Sequence, residues 1–286
     1  MKQRVYSHLT RNRRALTKIE FLVTLVVLVV IWTFLLSSVK TAKYTRRPQC
    51  ASNMKRLSEA LNTYHETYEA LPPCAAPIDE QLQDESVSES CNWSWRVRIL
   101  PFLRDEGAQE LYSQFRFNEP WDSEHNLKVA ASDNAWEFLC CADGTNHGLK
   151  EVNGRQIPVT NYVMITGPNT VGPVDGSVRT WDDVTDDKSK TLILVEVWGE
   201  NRPAWTEPVD ITLEDLQQGV NAVSGMSISG DHLIHVRPFI DDLRGGVNLC
   251  FADGHLQFVN GKKAPTPEQL RQMAIINDGE PTGSED

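Results

Sequence analysis

The sequence lacks the local signatures of the common catalytic and cofactor chemistries. It has no CxxC pair, so its six cysteines, at 50, 74, 91, 140, 141 and 250, do not read as a zinc site. It has no G-x-S-x-G elbow, no glycine-rich phosphate loop and no Rossmann fingerprint, which removes the motif-based cases for those hydrolases, nucleotide enzymes and dehydrogenases. Internal repeats are absent. Positive charge is scarce in the body: Pro48 to Asp286 holds 18 Lys/Arg against 38 Asp/Glu, a net of −20. Phosphates require basic neutralisation, so nucleic acid is excluded as the natural partner. Between Phe21 and Val39 there are 19 residues without any charge.

That run determines the layout. As a helix rising about 1.5 Å per residue it spans roughly 28 Å, close to the apolar thickness of a bilayer. Ahead of and around it, residues 1–47 carry ten Lys/Arg and one acid, Glu20. A basic head on an acidic body implies a membrane-proximal segment joined to a soluble domain. A cleaved secretory signal would have a shorter apolar core ending at small residues. Here the run ends in "SSVKTAK", which favours a retained anchor. Basic residues flank both ends, so charge alone leaves the orientation open.

Glu20 stands at the entrance of the run. A carboxylate beside a membrane interior needs either an interfacial position or a partner. The order "ALTKIEFLVTLVVLVV" resembles the N-terminal motif of type IV pilins and pseudopilins. In that alignment Ala15 is the last leader residue, Leu16 the first mature residue and Glu20 the fifth. The resemblance implies cleavage and methylation by a prepilin peptidase, and pairing of Glu20 with the new amine of a neighbouring subunit. Ala15, Leu16 and Lys18 depart from the usual motif. An uncleaved anchor is the alternative reading.

After the span, Cys50, Met54, Leu57, Leu61, Tyr64 and Tyr68 recur at steps of three and four, predicting an amphipathic helix that ends at "LPP" around Leu71. Pro48 is expected to kink or restart it. The same stretch resembles bacterial domain-of-unknown-function family 1559, through Cys50, Asn53, Lys55, Ala60, Leu61, Tyr64, His65, Tyr68, Pro72 and Pro73. "NWSWRVRILPFL" from Asn92, "TNYVMITGPNT" from Thr160, "VTDDKSKTLILVEV" from Val184 and "GGVNLCFADGHLQFV" from Gly245 resemble further segments in that family's order. The last contains the C-terminal signature residues Asn248, Phe251, Asp253 and Gly254. The family histidine falls at Leu243 here, with His232 and His235 as the candidate substitutes.

"YVMITG", "TLILVEVW" and "VNLCFADGHLQFV" read as strands, the last as a hairpin whose Asp253-Gly254 supplies positive-φ positions. Asp143-Gly144 and Asp175-Gly176 read as turns in the same way. Thr266 should cap a final helix with Pro267 at its first position. The polar stretch from Asp79 to Ser90 reads as a loop. Cys74 and Cys91 bracket it and form a candidate disulfide if the domain is extracytoplasmic. Asp231, His232, His235, Asp241 and Asp242 form the best metal case, but H-x-x-H is not the H-E-x-x-H pattern and lacks its glutamate base. Calcium has oxygen ligands available but no EF-hand loop.

The expected fold is α+β and pilin-like: a long N-terminal helix, transmembrane then amphipathic, packed on a mostly antiparallel β-sheet. Residues 1–15 are the basic leader, 16–47 the transmembrane helix and juxtamembrane segment, and 48–286 the extracytoplasmic domain. The expected protein is a single-pass, non-catalytic component of the inner membrane without a cofactor. Its expected partners are the membrane, itself or other pilin-like subunits, and prepilin peptidase if it is processed. A solitary anchored binding module and an anchored metal-dependent hydrolase are the competing readings.

Overall fold

In a computed structural model, the described residues are 17–44, 47–76, 92–132, 136–140, 148–173, 177–222, 226–230, 246–260 and 263–279, without the side chains of 34–44, 47 and 136. Contacts divide the chain into two units, Met1–Ala42 and Lys43–Asp286.

The first unit contains nearly all of helix α1 (Lys18–Tyr44). Its start is closed by a capping box: Thr17 N–H donates to the Glu20 carboxylate at 2.8 Å, and Glu20 N–H donates to Thr17 Oγ1 at 3.3 Å. The apolar residues from Phe21 to Trp32 are exposed around the whole helix. Among the described residues, no helix is long and apolar enough to cross a membrane. Ala15 and Leu16, the expected cleavage pair, lie outside the described residues.

The second unit is built on helix α2 (Arg47–Tyr68), with Pro48 in its first turn where the missing N–H costs nothing. Cys50, Met54, Leu57 and Leu61 are buried as the stripe predicts. Each such apolar side chain contributes roughly 1.5–3 kcal/mol. Two details differ from expectation. Tyr68 is 59% exposed, because the stripe has by then passed the edge of the core, and its ring rests on Tyr64 and Phe102 instead. The helix also stops at Tyr68 rather than Leu71, because Glu69 turns to φ 55° and its N–H closes on the His65 carbonyl.

The remaining elements follow in chain order. Strand β1 (Ala75–Ala76) pairs with β2 (Trp93–Ser94), which leads into α3 (Trp95–Arg98). Helices α4 (Glu106–Gln114) and α5 (Glu124–Ser132) precede the hairpin of β3 (Leu149–Val152) and β4 (Arg155–Pro158). Asn153 and Gly154, both at positive φ, make that hairpin's two-residue turn. The main sheet comprises β5 (Tyr162–Thr166), β6 (Leu192–Trp198), β7 (Ile211–Thr212), β8 (Ser227–Ile228), β9 (Val247–Phe251) and β10 (Leu256–Val259). Its order is β10-β9-β6-β5-β7, with β8 on β6, and it is antiparallel except for β5 with β7. The final helix α6 (Pro267–Ala274) starts at Thr266, whose hydroxyl and Gln269 complete a capping box.

The sheet separates two apolar clusters, because alternate residues of a strand point to opposite faces. Val163, Ile165, Val195, Leu249 and Phe251 join Leu270 and Ala274 of α6 on one side. Tyr162, Met164, Leu194 and Cys250 join Met54, Leu57 and Leu61 of α2 on the other. A register shift between Leu192 and Leu194 breaks the alternation, so Ile193 and Leu194 both lie in the α2 cluster. The architecture is α+β with a mostly antiparallel sheet.

Candidate functional site

Polar groups interrupt the buried layer between α2 and the sheet. Glu196 on β6 and Asn248 on β9 are 1% and 2% exposed. Asn248 donates its backbone N–H to Glu196 Oε2 at 2.7 Å and its amide Nδ2 to Oε1 at 3.0 Å. A buried carboxylate is tolerable when both oxygens are hydrogen-bonded in this way. Beside them Tyr162 donates its hydroxyl to the Cys50 carbonyl of α2 at 3.2 Å. The residues 137–140 run along the same edge. Asn161 Oδ1 accepts from Cys140 N–H at 2.8 Å, Asn53 Nδ2 donates to the Leu139 carbonyl, and Arg56 pairs with Glu137 at 3.5 Å. This brings Cys50 Sγ to 2.9 Å from Cys140 Sγ. Three segments that carry the sequence resemblance thus converge: Cys50 from the helix, Glu196 from "TLILVEV" and Asn248 from the C-terminal signature. Cys140 entered through no motif and was legible in the sequence only as one half of a vicinal pair.

The two sulfurs and a Glu196 oxygen lie within 4.8 Å of one another, which invites a metal reading. The geometry does not fit one. Two thiolates bound at about 2.3 Å to a tetrahedral ion stand about 3.8 Å apart, farther than these sulfurs. Glu196 also already accepts from Asn248 with both oxygens.

The rest of the C-terminal signature builds a turn. Gly254 N–H donates to the Phe251 carbonyl, and Phe251 N–H to that of His255. Only Gly254 has positive φ, at 80°, so this is a three-residue loop with one left-handed residue rather than an Asp-Gly pair both at positive φ. Asp253 Oδ1 accepts from His255 N–H and from its ring Nδ1 at 2.6 Å, and the His255 ring stacks on Phe251 at 4.4 Å. Burial alone would raise the Asp253 carboxyl, but the His255 amide and ring outweigh it and hold the group below its usual range. Lys55 of α2 donates to the Gly254 carbonyl at 2.8 Å. The Lys55 bond joins the hairpin to α2, while the Asp253 and His255 contacts order the turn itself.

A second buried network ties α3 to the sheet. Asp210 Oδ1 accepts from Arg96, Trp95 Nε1 and Met164 N–H at 2.8, 3.0 and 2.9 Å. Burial raises the Asp210 carboxyl and lowers the Arg96 guanidinium, and the charge of each partner opposes the other's shift. A pocket of about 350 Å³ opens beside α4, with Asp105, Glu110 and Glu137 around Phe138 and Trp205, and among the described residues no histidine or cysteine lines it.

The other expected positions resolve unevenly. Cys74 is buried with its thiol against Met164 Sδ at 3.5 Å, and burial raises its pKa. Cys91 lies outside the described residues, and with it the expected Cys74–Cys91 pair. Asp231, His232, His235, Asp241, Asp242 and Leu243 also lie outside them, as do Asp143-Gly144, Asp175-Gly176 and the loop from Asp79 to Ser90. Burial pushes the Cys250 thiol up to about 12, which makes it an inert core residue.

No curated protein and no solved structure matches the chain. Residues 42–223 match the family described as Protein of unknown function (DUF1559), from the end of helix α1 through helix α2 and strand β6 to beyond β7; the chain belongs to that family.

Proposed function

We propose that the protein is a membrane-anchored, pilin-like component of the inner membrane whose extracytoplasmic domain serves assembly or surface interaction rather than catalysis. The observation that carries this reading is the placement of Glu20, the one acid of a basic head, at the mouth of a 19-residue uncharged run. Helix α1 supports it: the helix runs unbroken from Lys18 to Tyr44, and its side chains from Phe21 to Trp32 face outward and, apart from Thr24, are apolar. Such a surface needs an apolar medium or other helices around it. The non-catalytic part rests on the signature residues, each of which has a structural partner: Asn248 bonds Glu196, Asp253 bonds His255 within the turn, Gly254 accepts from Lys55 of α2, and Phe251 packs in the core.

A second reading has its own observation. Glu20 already caps its own helix through Thr17, a task that suits an anchor without assembly. Intact-mass measurement on protein purified from membranes separates the two. A mature chain beginning at Leu16, methylated on its amine, supports the pilin-like reading. A chain retaining residues 1–14 rules out processing and leaves a simple anchor.

A further inference from the structure

We infer that Cys50 and Cys140 form a disulfide that staples helix α2 to the segment preceding the sheet. Their sulfurs are 2.9 Å apart, inside the roughly 3.5–4.0 Å of carbon van der Waals contact, and sulfur is the larger atom; they are within about 1 Å of a 2.05 Å bond. Both residues are fully buried, at 0% and 1% exposure. Both backbones are held from outside the pair. Tyr162 fixes the Cys50 carbonyl, Asn161 fixes the Cys140 amide, and Asn53 fixes the Leu139 carbonyl. The approach is therefore imposed by three independent hydrogen bonds and not by the sulfurs themselves.

The bond forms by exchange with the disulfide of an extracytoplasmic thiol oxidant, before α2 is fully seated. One cysteine thiolate attacks a donor sulfur, forming a mixed disulfide and releasing one donor thiolate. The second cysteine thiolate then displaces the other donor sulfur. Two protein thiols are oxidised, the donor disulfide is reduced to a dithiol, and two protons pass to the donor. For this oxidant the inference rests on the extracytoplasmic placement proposed above. The staple closes a loop of 90 residues. It would keep α2, the helix that follows the anchor in the chain, from peeling off the sheet under load.

The test uses full-length protein extracted from membranes with thiols trapped by alkylation at lysis. The expected result is a peptide carrying Cys50 cross-linked to the one carrying Cys140, which separates on reduction. Cys141 shares that peptide, so Cys141→Ser must retain the link and Cys140→Ser must lose it. Reduction of wild-type protein should lower its melting temperature by roughly 5–15 °C, and Cys50→Ser/Cys140→Ser should show no such drop. A link found only after treating the extract with oxidised glutathione supports the pairing and counts against the extracytoplasmic placement. Both residues alkylated before and after that treatment overturns the pairing. Stoichiometric zinc that shields both thiols until chelation overturns it as well, as does a link that persists through Cys141 in Cys140→Ser.

Discussion

Arg96 and Asp210 form an ion pair at 2.8 Å whose side chains are 0% and 1% exposed. Burying two charges is costly, and their attraction offsets that cost only while both are present. Arg96 also donates to the Tyr162 and Val209 carbonyls, so it joins α3, the sheet and the segment before β7. Asp210→Ala should destabilise the domain by about 3–5 kcal/mol in denaturant unfolding. The double variant Arg96→Met/Asp210→Leu should cost clearly less than the single one. Equal costs would show that the charges are not the issue.

The hairpin turn gives a second test. Gly254 has φ 80°, and an added Cβ would stand 3.0 Å from Ser58 Oγ and 3.4 Å from Lys55 Nζ. The hydroxyl and ammonium can shift, so most of the cost is the left-handed backbone. Gly254→Ala should lose roughly 1–2 kcal/mol. Gly246→Ala acts differently, because its Cβ would overlap the Phe258 ring. Phe258→Leu should partly rescue Gly246→Ala and do nothing for Gly254→Ala, as read from unfolding midpoints.

Asp253 supplies a pH signature. Its folded pKa lies below the ordinary carboxylate value because of His255, so its contribution to stability is present above that value and is lost as pH falls through the folded one. Asp253→Asn should therefore melt below wild type at neutral pH, and the two curves should converge in acid. The group is 38% exposed, so the gap will be small. A gap that widens in acid would reverse the assigned sign.

Glu20 separates capping from assembly. Glu20→Gln keeps an oxygen for the Thr17 amide but has no charge, whereas Glu20→Ala loses both. Both variants should insert into membranes, since removing a charge favours burial. If assembly depends on pairing with a neighbour's amine, both should fail to enter a filament in cross-linking assays. Normal incorporation of Glu20→Gln would rule out the charge-pairing role.

Much of this was readable from local patterns. The α2 stripe, strands β5, β6, β9 and β10 and the Thr266 cap follow from periodicity and capping chemistry, which act over a few residues. The Thr17-x-x-Glu20 capping box was also legible, though a carboxylate beside an apolar run drew attention to the membrane first. Tyr68 marks the limit of such patterns: its spacing fits the stripe, but a stripe does not reveal where the core beneath it ends.

By itself, then, the sequence determined the uncharged run, the basic head, the family resemblance and the identity of most elements, because each is encoded in residues close together in the chain. The tertiary structure decided which of these meet. Glu196 finds Asn248 across 52 positions and Cys50 finds Cys140 across 90. No local propensity specifies such pairs. They arise when strand register and the seat of α2 are set together by apolar burial, and the polar groups caught in that layer must then satisfy one another.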